Sequence, residues 1–257
     1  MEKTQVAQRK RQITWSNNKL NNNIMKGRIN RAESIVRKGF PRIGSIKVGL
    51  KNANGLPQSV DYFVSTGKYA GLFNQAYGDK PQTIQIVFLS DEPEAVCNEM
   101  YEYRDDEGKR IAYGDGETFM VWDGKKYIVL TVTEYPHLME NISRRYPNRK
   151  TRKGGDGWDI TLTLNFIIPM VRGVAGLWQF VTKGTASTIP NIRDTFDAML
   201  EERGFVKGII FDLNVQFATS QKPGDKSRYP VVSIVPNESE DNLQKIKESF
   251  SPIKLVE

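Results

Sequence analysis

The stretch WDITLTLNFII (158–168) alternates apolar and polar residues almost without a break. Trp158, Ile160, Leu162, Leu164, Phe166 and Ile168 share one parity, and Asp159, Thr161, Thr163 and Asn165 the other. Side chains along a strand point to opposite faces in turn, so a period of two means a strand with one apolar face. A helix would scatter the same residues around its circumference. Sheets that bury one face and leave the other half-solvated are characteristically antiparallel. IIFDLNVQFATS (209–220) repeats the pattern, with Ile209, Phe211, Leu213, Val215 and Phe217 expected inward.

Further strands are expected at 43–50, 59–64, 83–89, 177–182 and 229–236. Asp-Glu-Gly at 106–108 and Asp-Gly at 123–124 mark hairpin turns between aromatic and β-branched strands. Helical spacing is found at 67–79, 137–146 and 189–203, the last with Ile189, Ile192, Phe196, Met199 and Leu200 on one side and Gly204 as its stop. Ser187 or Thr188 is expected to cap that helix, with Pro190 in its first turn. A closing helix is expected over 239–250. Strands outnumber helices, which are scattered among hairpins. The expected class is therefore α+β, a mostly antiparallel sheet or a small β-barrel (OB-like included), with helices inserted between strands.

Residues 1–39 differ from the rest. Arg9, Lys10, Arg11, Lys19, Lys26, Arg28, Arg31, Arg37 and Lys38 face only two acids, Glu2 and Glu33. We read 1–39 as a basic, partly mobile arm with a short helix over about 24–37, and 40–257 as a single α+β domain. No run approaches the ~20 apolar residues of a membrane span, and the amino terminus has no secretory signal. One cysteine, Cys97, allows no intrachain disulfide. A cytoplasmic setting with no membrane partner is the expectation.

The single Cys and single His, His137, leave too few ligands for a Cys/His zinc site. Neither a G-x-S-x-G nor a G-x-x-x-x-G-K-[ST] motif is present. Asp105, Asp106, Glu107, Asp115, Glu117 and Asp123 could hold a divalent metal for a hydrolase. Their places beside glycine in tight turns favour a backbone role instead. No cofactor, metal site or catalytic residue is expected.

A formal net charge of +7 suggests a polyanionic partner. RRYPNRKTRKGGDG (144–157) carries Arg144, Arg145, Arg149, Lys150, Arg152 and Lys153 with no acid among 144–153. Arginine can grip a phosphate with two donors at once. In LWQFVTKGTASTIPNI (177–192), Lys183 and the amides around Thr185 precede a helix start, a weak phosphate signal. Trp178 beside Lys183 is a candidate stacking ring. Together with Arg9, Lys10 and Arg11 of the arm, these residues make up the candidate DNA-binding set.

The chain from about Phe40 to Val235 also resembles the recombination directionality factor-like family of phages and mobile elements. GFPRIGSIKVGLKNANGLPQSVDYF, YRDDEGKRIAYGDGETFMVWDG and LWQFVTKGTASTIPNIRDTFDAM carry the resemblance. It implies a non-enzymatic early phage protein that binds a large serine integrase on its DNA and switches it from integration to excision. It implies no residue roles. The alternatives from the residues are a single-stranded DNA-binding protein of phage replication or recombination, a protein-binding module that touches DNA little, and a metal-dependent hydrolase using the 105–123 carboxylates.

Overall fold

The computed structural model describes residues 40–220 and 223–237. The arm and the expected closing helix at 239–250 lie outside them. The described residues form, in order, β1 (Arg42–Lys51), β2 (Pro57–Thr66), α1 (Ala70–Tyr77), β3 (Thr83–Val87), α2 (Pro93–Val96), β4 (Cys97–Arg104), β5 (Arg110–Gly114), β6 (Thr118–Trp122) and β7 (Tyr127–Thr131). Then come α3 (Leu138–Arg145), α4 (Arg149–Arg152), β8 (Trp158–Phe166), β9 (Leu177–Thr182), α5 (Thr188–Arg203), β10 (Ile210–Thr219) and β11 (Arg228–Pro236).

Eight strands form one sheet in the order β2-β1-β9-β8-β4-β5-β6-β7, and three form a second, β11-β10-β3. Among the ladders of the described strands, that of β1 and β9 is parallel and the rest are antiparallel. The α+β, mostly antiparallel class is the one observed. The barrel alternative is not: β2 and β7 stand at opposite ends of the large sheet, which stays open. The reason is that the β5–β6–β7 meander builds an apolar face of its own and does not need to curl back towards β2.

Two buried clusters result. The larger joins Leu162, Leu164 and Phe166 of β8 to Trp178 and Phe180 of β9, the inward residues of the small sheet, and Ile189, Ile192 and Phe196 of α5. Ile84, Ile86, Phe211 and Leu213 are fully buried there, as the alternation requires. The smaller gathers Tyr103, Phe119, Val121 and Trp158 under Leu138 and Ile142 of α3. The row of β8 expected from 158–168 therefore feeds both, Trp158 entering one and Leu162 onward the other. Phe217, expected inward, is only half-buried near the end of β10.

The start of α5 departs from expectation. Ser187 occupies the cap position but its side chain makes no capping bond. The Thr188 hydroxyl is buried and instead accepts the Val232 amide of β11 at 3.1 Å. A tertiary partner has taken the oxygen that a local cap would have used. The far end behaves as expected: Gly204 adopts φ 76° and its amide bonds Leu200 O.

Trp178 fixes one glycine. A Cβ on Gly44 of β1 would run into the six-membered ring of Trp178, which crosses this position from the neighbouring strand. Gly44→Ala should therefore lower the unfolding free energy by about 1–3 kcal/mol through overpacking, whereas Gly71→Ala on the open surface of α1 should be neutral or raise it by about 0.5 kcal/mol. Urea denaturation of the two variants checks both.

Candidate nucleic-acid interface

Asn148 shapes the basic turn. Its Oδ1 accepts the Thr151 amide at 2.9 Å and the Thr151 hydroxyl at 3.0 Å, capping the single turn of α4. Its Nδ2 donates to Arg104 O at 2.9 Å, which ties α4 to the end of β4. Tyr103, fully buried on β4, donates its hydroxyl to Tyr146 O at 2.6 Å and lies 3.1 Å from the Thr151 hydroxyl. The basic stretch 144–153 is thus the end of α3, carrying Arg144 and Arg145 as the helical spacing of 137–146 predicts, followed by α4 with Arg149, Lys150 and Arg152 and capped by Lys153.

The fold brings Lys150 and Lys183 to the same carboxylate. Asp159, on the polar face of β8, pairs with Lys150 and lies 2.8 Å from Lys183 Nζ. Residues thirty-three positions apart in sequence thus flank one strand end. A shallow cleft of about 180 Å³ beside them is lined by Arg104, Asp105, Asp106, Arg149, Lys150 and Asp159. Arg152 pairs with Asp106, one of the lining residues. Arg144 instead pairs with Glu140 on its own helix at 2.6 Å, and Arg145 stacks 5.3 Å from the Tyr146 ring. No carboxylate of the described residues forms an ion pair with Arg149 or Lys153.

Other expected contributors fare differently. Trp178 is 1% exposed and packs 6.0 Å from Phe73, so its ring offers no stacking face; it is core because its parity on β9 points inward. Thr185 is exposed, and its amide and that of Gly184 are spent within the loop. Gly184 N bonds Thr182 Oγ1 at 3.1 Å, Thr185 N bonds Lys183 O at 3.0 Å, and Ile189 N bonds Gly184 O at 2.9 Å. Lys183 stands beside this loop, paired with Asp159. Arg9, Lys10 and Arg11 lie outside the described residues.

Sequence reasoning missed the roles of Asp159 and of the pair Arg104–Arg110, and read Asp106 as a turn residue or metal ligand and not as the partner of Arg152. A signal was present, since Glu102 and Arg104 share the polar parity of β4 just as Asp159 does on β8. Glu102 accepts from Arg104 at 2.7 Å and lies 3.9 Å from Arg110.

The acidic region serves its turns. Asp105 Oδ1 accepts the Lys109 amide, Asp115 Oδ1 those of Glu117 and Thr118, and Asp123 Oδ1 those of Lys125 and Lys126, all at 2.7–2.9 Å. Asp115 sits in the β5–β6 turn, at the opposite end of the meander from Asp105 and Asp123. Among the described residues no three His, Cys, Asp or Glu side chains converge as a metal site would require. Cys97 is buried in the larger core, its thiol pushed up to about 12 by burial and then by Asp197 and Glu99. His137 is exposed at the start of α3, 3.7 Å from Glu140. No helix among the described residues is long and apolar enough to cross a membrane.

A family model described as Gp3-like, recombination directionality factor-like, matches residues 43–237, from the first strand to the end of the last. No curated protein matches, and no solved structure does.

The turn carboxylates carry a pH signature. Amide hydrogen bonds, from Thr118 first at Asp115 and from Lys126 first at Asp123, hold both carboxyls below the ordinary aspartate value. A lowered folded-state value contributes stability above the unfolded-state value, and that stability is lost as pH falls through the folded one. The melting temperature should therefore decline below about pH 4, and less steeply in an Asp115→Asn, Asp123→Asn double variant. Thermal melts from pH 7 downward measure this.

Proposed function

We propose that this chain, which belongs to the recombination directionality factor-like family, is a non-enzymatic accessory protein of phage or mobile-element recombination that contacts DNA and a recombinase held on it. The observation that carries the DNA contact is the convergence of Lys150 and Lys183 on Asp159, with Arg149 and Arg152 on the adjoining turn. Exposed ion pairs of this kind are worth only about 0–1 kcal/mol. A phosphate can therefore displace Asp159 or Asp106 at little cost and take over the cations they hold. Recombinase contact rests on family membership.

A second reading has an observation in its favour. Glu140, Asp106 and Asp159 offset much of the charge that 144–153 presents in sequence. A surface so balanced suits a protein partner as well as a polyanion.

Fluorescence anisotropy with duplex DNA over a range of salt separates the two. The parent chain should bind at low salt, with log K falling by about 0.9 per phosphate contact for each decade of salt. Replacing Arg149, Lys150, Arg152 and Lys153 by Ala should reduce that slope by about 2–4 and slow recombinase-dependent excision. Intact excision activity in the quadruple variant would move the function to protein contact alone, and absence of DNA binding even at low salt would remove the DNA contact.

A further inference from the structure

We infer that the outer face of the β4–β7 meander binds unpaired nucleobases, making single-stranded DNA the ligand of the DNA contact proposed above, on which this inference rests. The register defines the face. Asp159, Glu102, Tyr113, Met120 and Val129 are successive cross-strand partners on β8, β4, β5, β6 and β7. The neighbouring parity, Trp158, Tyr103, Ala112, Val121, is the apolar floor of the smaller core. The row therefore looks away from that core, and Lys150 and Lys183 stand at its Asp159 end.

Charge along this row is layered. The carboxylates lie low, with 10% of the Glu102 side chain exposed and 23% of Asp159. The cations that cover them are open, at 44% for Arg104, 44% for Arg110, 55% for Lys150 and 48% for Lys183. A partner approaching the face thus meets cations first.

Aromatic rings continue the row. The Arg110 guanidinium lies 4.1 Å from the centre of the Tyr113 ring. Tyr113 and Tyr127 are 5.6 Å apart, and Tyr127 and Trp122 5.3 Å. The Tyr127 hydroxyl donates to Arg110 O at 2.6 Å, fixing the ring beside the arginine. All three rings are half-buried and none belongs to either core. Rings held on an open sheet face next to cations are the equipment for stacking splayed bases while phosphates are gripped alongside. Four inter-strand steps, from β8 to β7, span roughly 19 Å, the reach of a few nucleotides. Duplex DNA would use only the cations, because its bases are already stacked on one another and show the protein only their edges.

The test is anisotropy of the full chain with labelled oligo-dT of about 20 nucleotides and with a duplex of equal length. Trp122→Ala and Tyr127→Ala should each weaken oligo-dT binding on the order of tenfold and leave duplex binding unchanged. Trp122→Phe and Tyr127→Phe, which keep a ring, should bind nearly as the parent. Because Trp122 is half-buried, the parent chain is also photo-crosslinked to oligonucleotides carrying 5-iodouracil, with adducts expected within 110–129. Folded Ala variants that bind oligo-dT like the parent, or adducts confined to 144–153, would overturn base stacking. Weaker binding by Lys150→Ala and Lys183→Ala in that same experiment would leave the proposed DNA contact standing. Failure of the parent to bind either DNA at low salt would remove both. Equal binding of poly-glutamate, lost in the same aromatic variants, would reassign the face to an acidic polypeptide.

Discussion

The apolar face of β8 is the seam on which the rest of the structure depends. It lies between β4 and β9. Its inward residues close both cores, Trp158 against Tyr103 at 5.1 Å and Phe119 at 5.3 Å, and Leu162, Leu164 and Phe166 against β9 and the small sheet. Each large apolar side chain so buried contributes roughly 1.5–3 kcal/mol. A one-residue slip in register would turn the whole row to solvent and carry Asp159 into the interior. The pairing of β8 with β4 and β9 is thereby specified, and with it the position of Asp159.

From that position follows the candidate interface. Asp159 is a half-buried carboxylate on the polar face of β8 that gathers two exposed cations, Lys150 from α4 and Lys183 from the β9–α5 loop. The hydrogen bonds of the buried Asn148 and Tyr103 side chains do the positioning, since Asn148 Nδ2 to Arg104 O and the Tyr103 hydroxyl beside that of Thr151 fix α4 to the end of β4. The cations are thus held by a rigid support and balanced by carboxylates. Glu102 plays the same part beneath Arg104 and Arg110 one strand over.

Much of this was legible in the sequence. Period-two patterning identified β8 and β10, and turn chemistry placed the hairpins around Gly108 and Gly124, which adopt φ 79° and 110°. Asp105, Asp115 and Asp123 were readable as turn residues because their side chains act within four positions of themselves. Trp178 and Thr188 were misread for one shared reason. Each looked local, a ring beside a lysine and a hydroxyl at a helix start, and each is committed to a distant strand, Trp178 over Gly44 and Thr188 to Val232.

By itself the sequence determined which residues alternate, where the chain turns, how its basic residues are distributed, and the stretches that resemble the directionality factor family. Those properties depend on neighbours a few positions apart, which the chain's own geometry couples. Tertiary structure alone decided that the sheet stays open, that Lys150 and Lys183 meet at Asp159, that Arg152 is balanced by Asp106, and that Tyr113, Trp122 and Tyr127 share a face. The open sheet and the meeting at Asp159 are matters of strand order and register between segments far apart in sequence, settled by the burial of apolar faces, and the shared ring face follows from the register of the consecutive β5–β6 and β6–β7 hairpins.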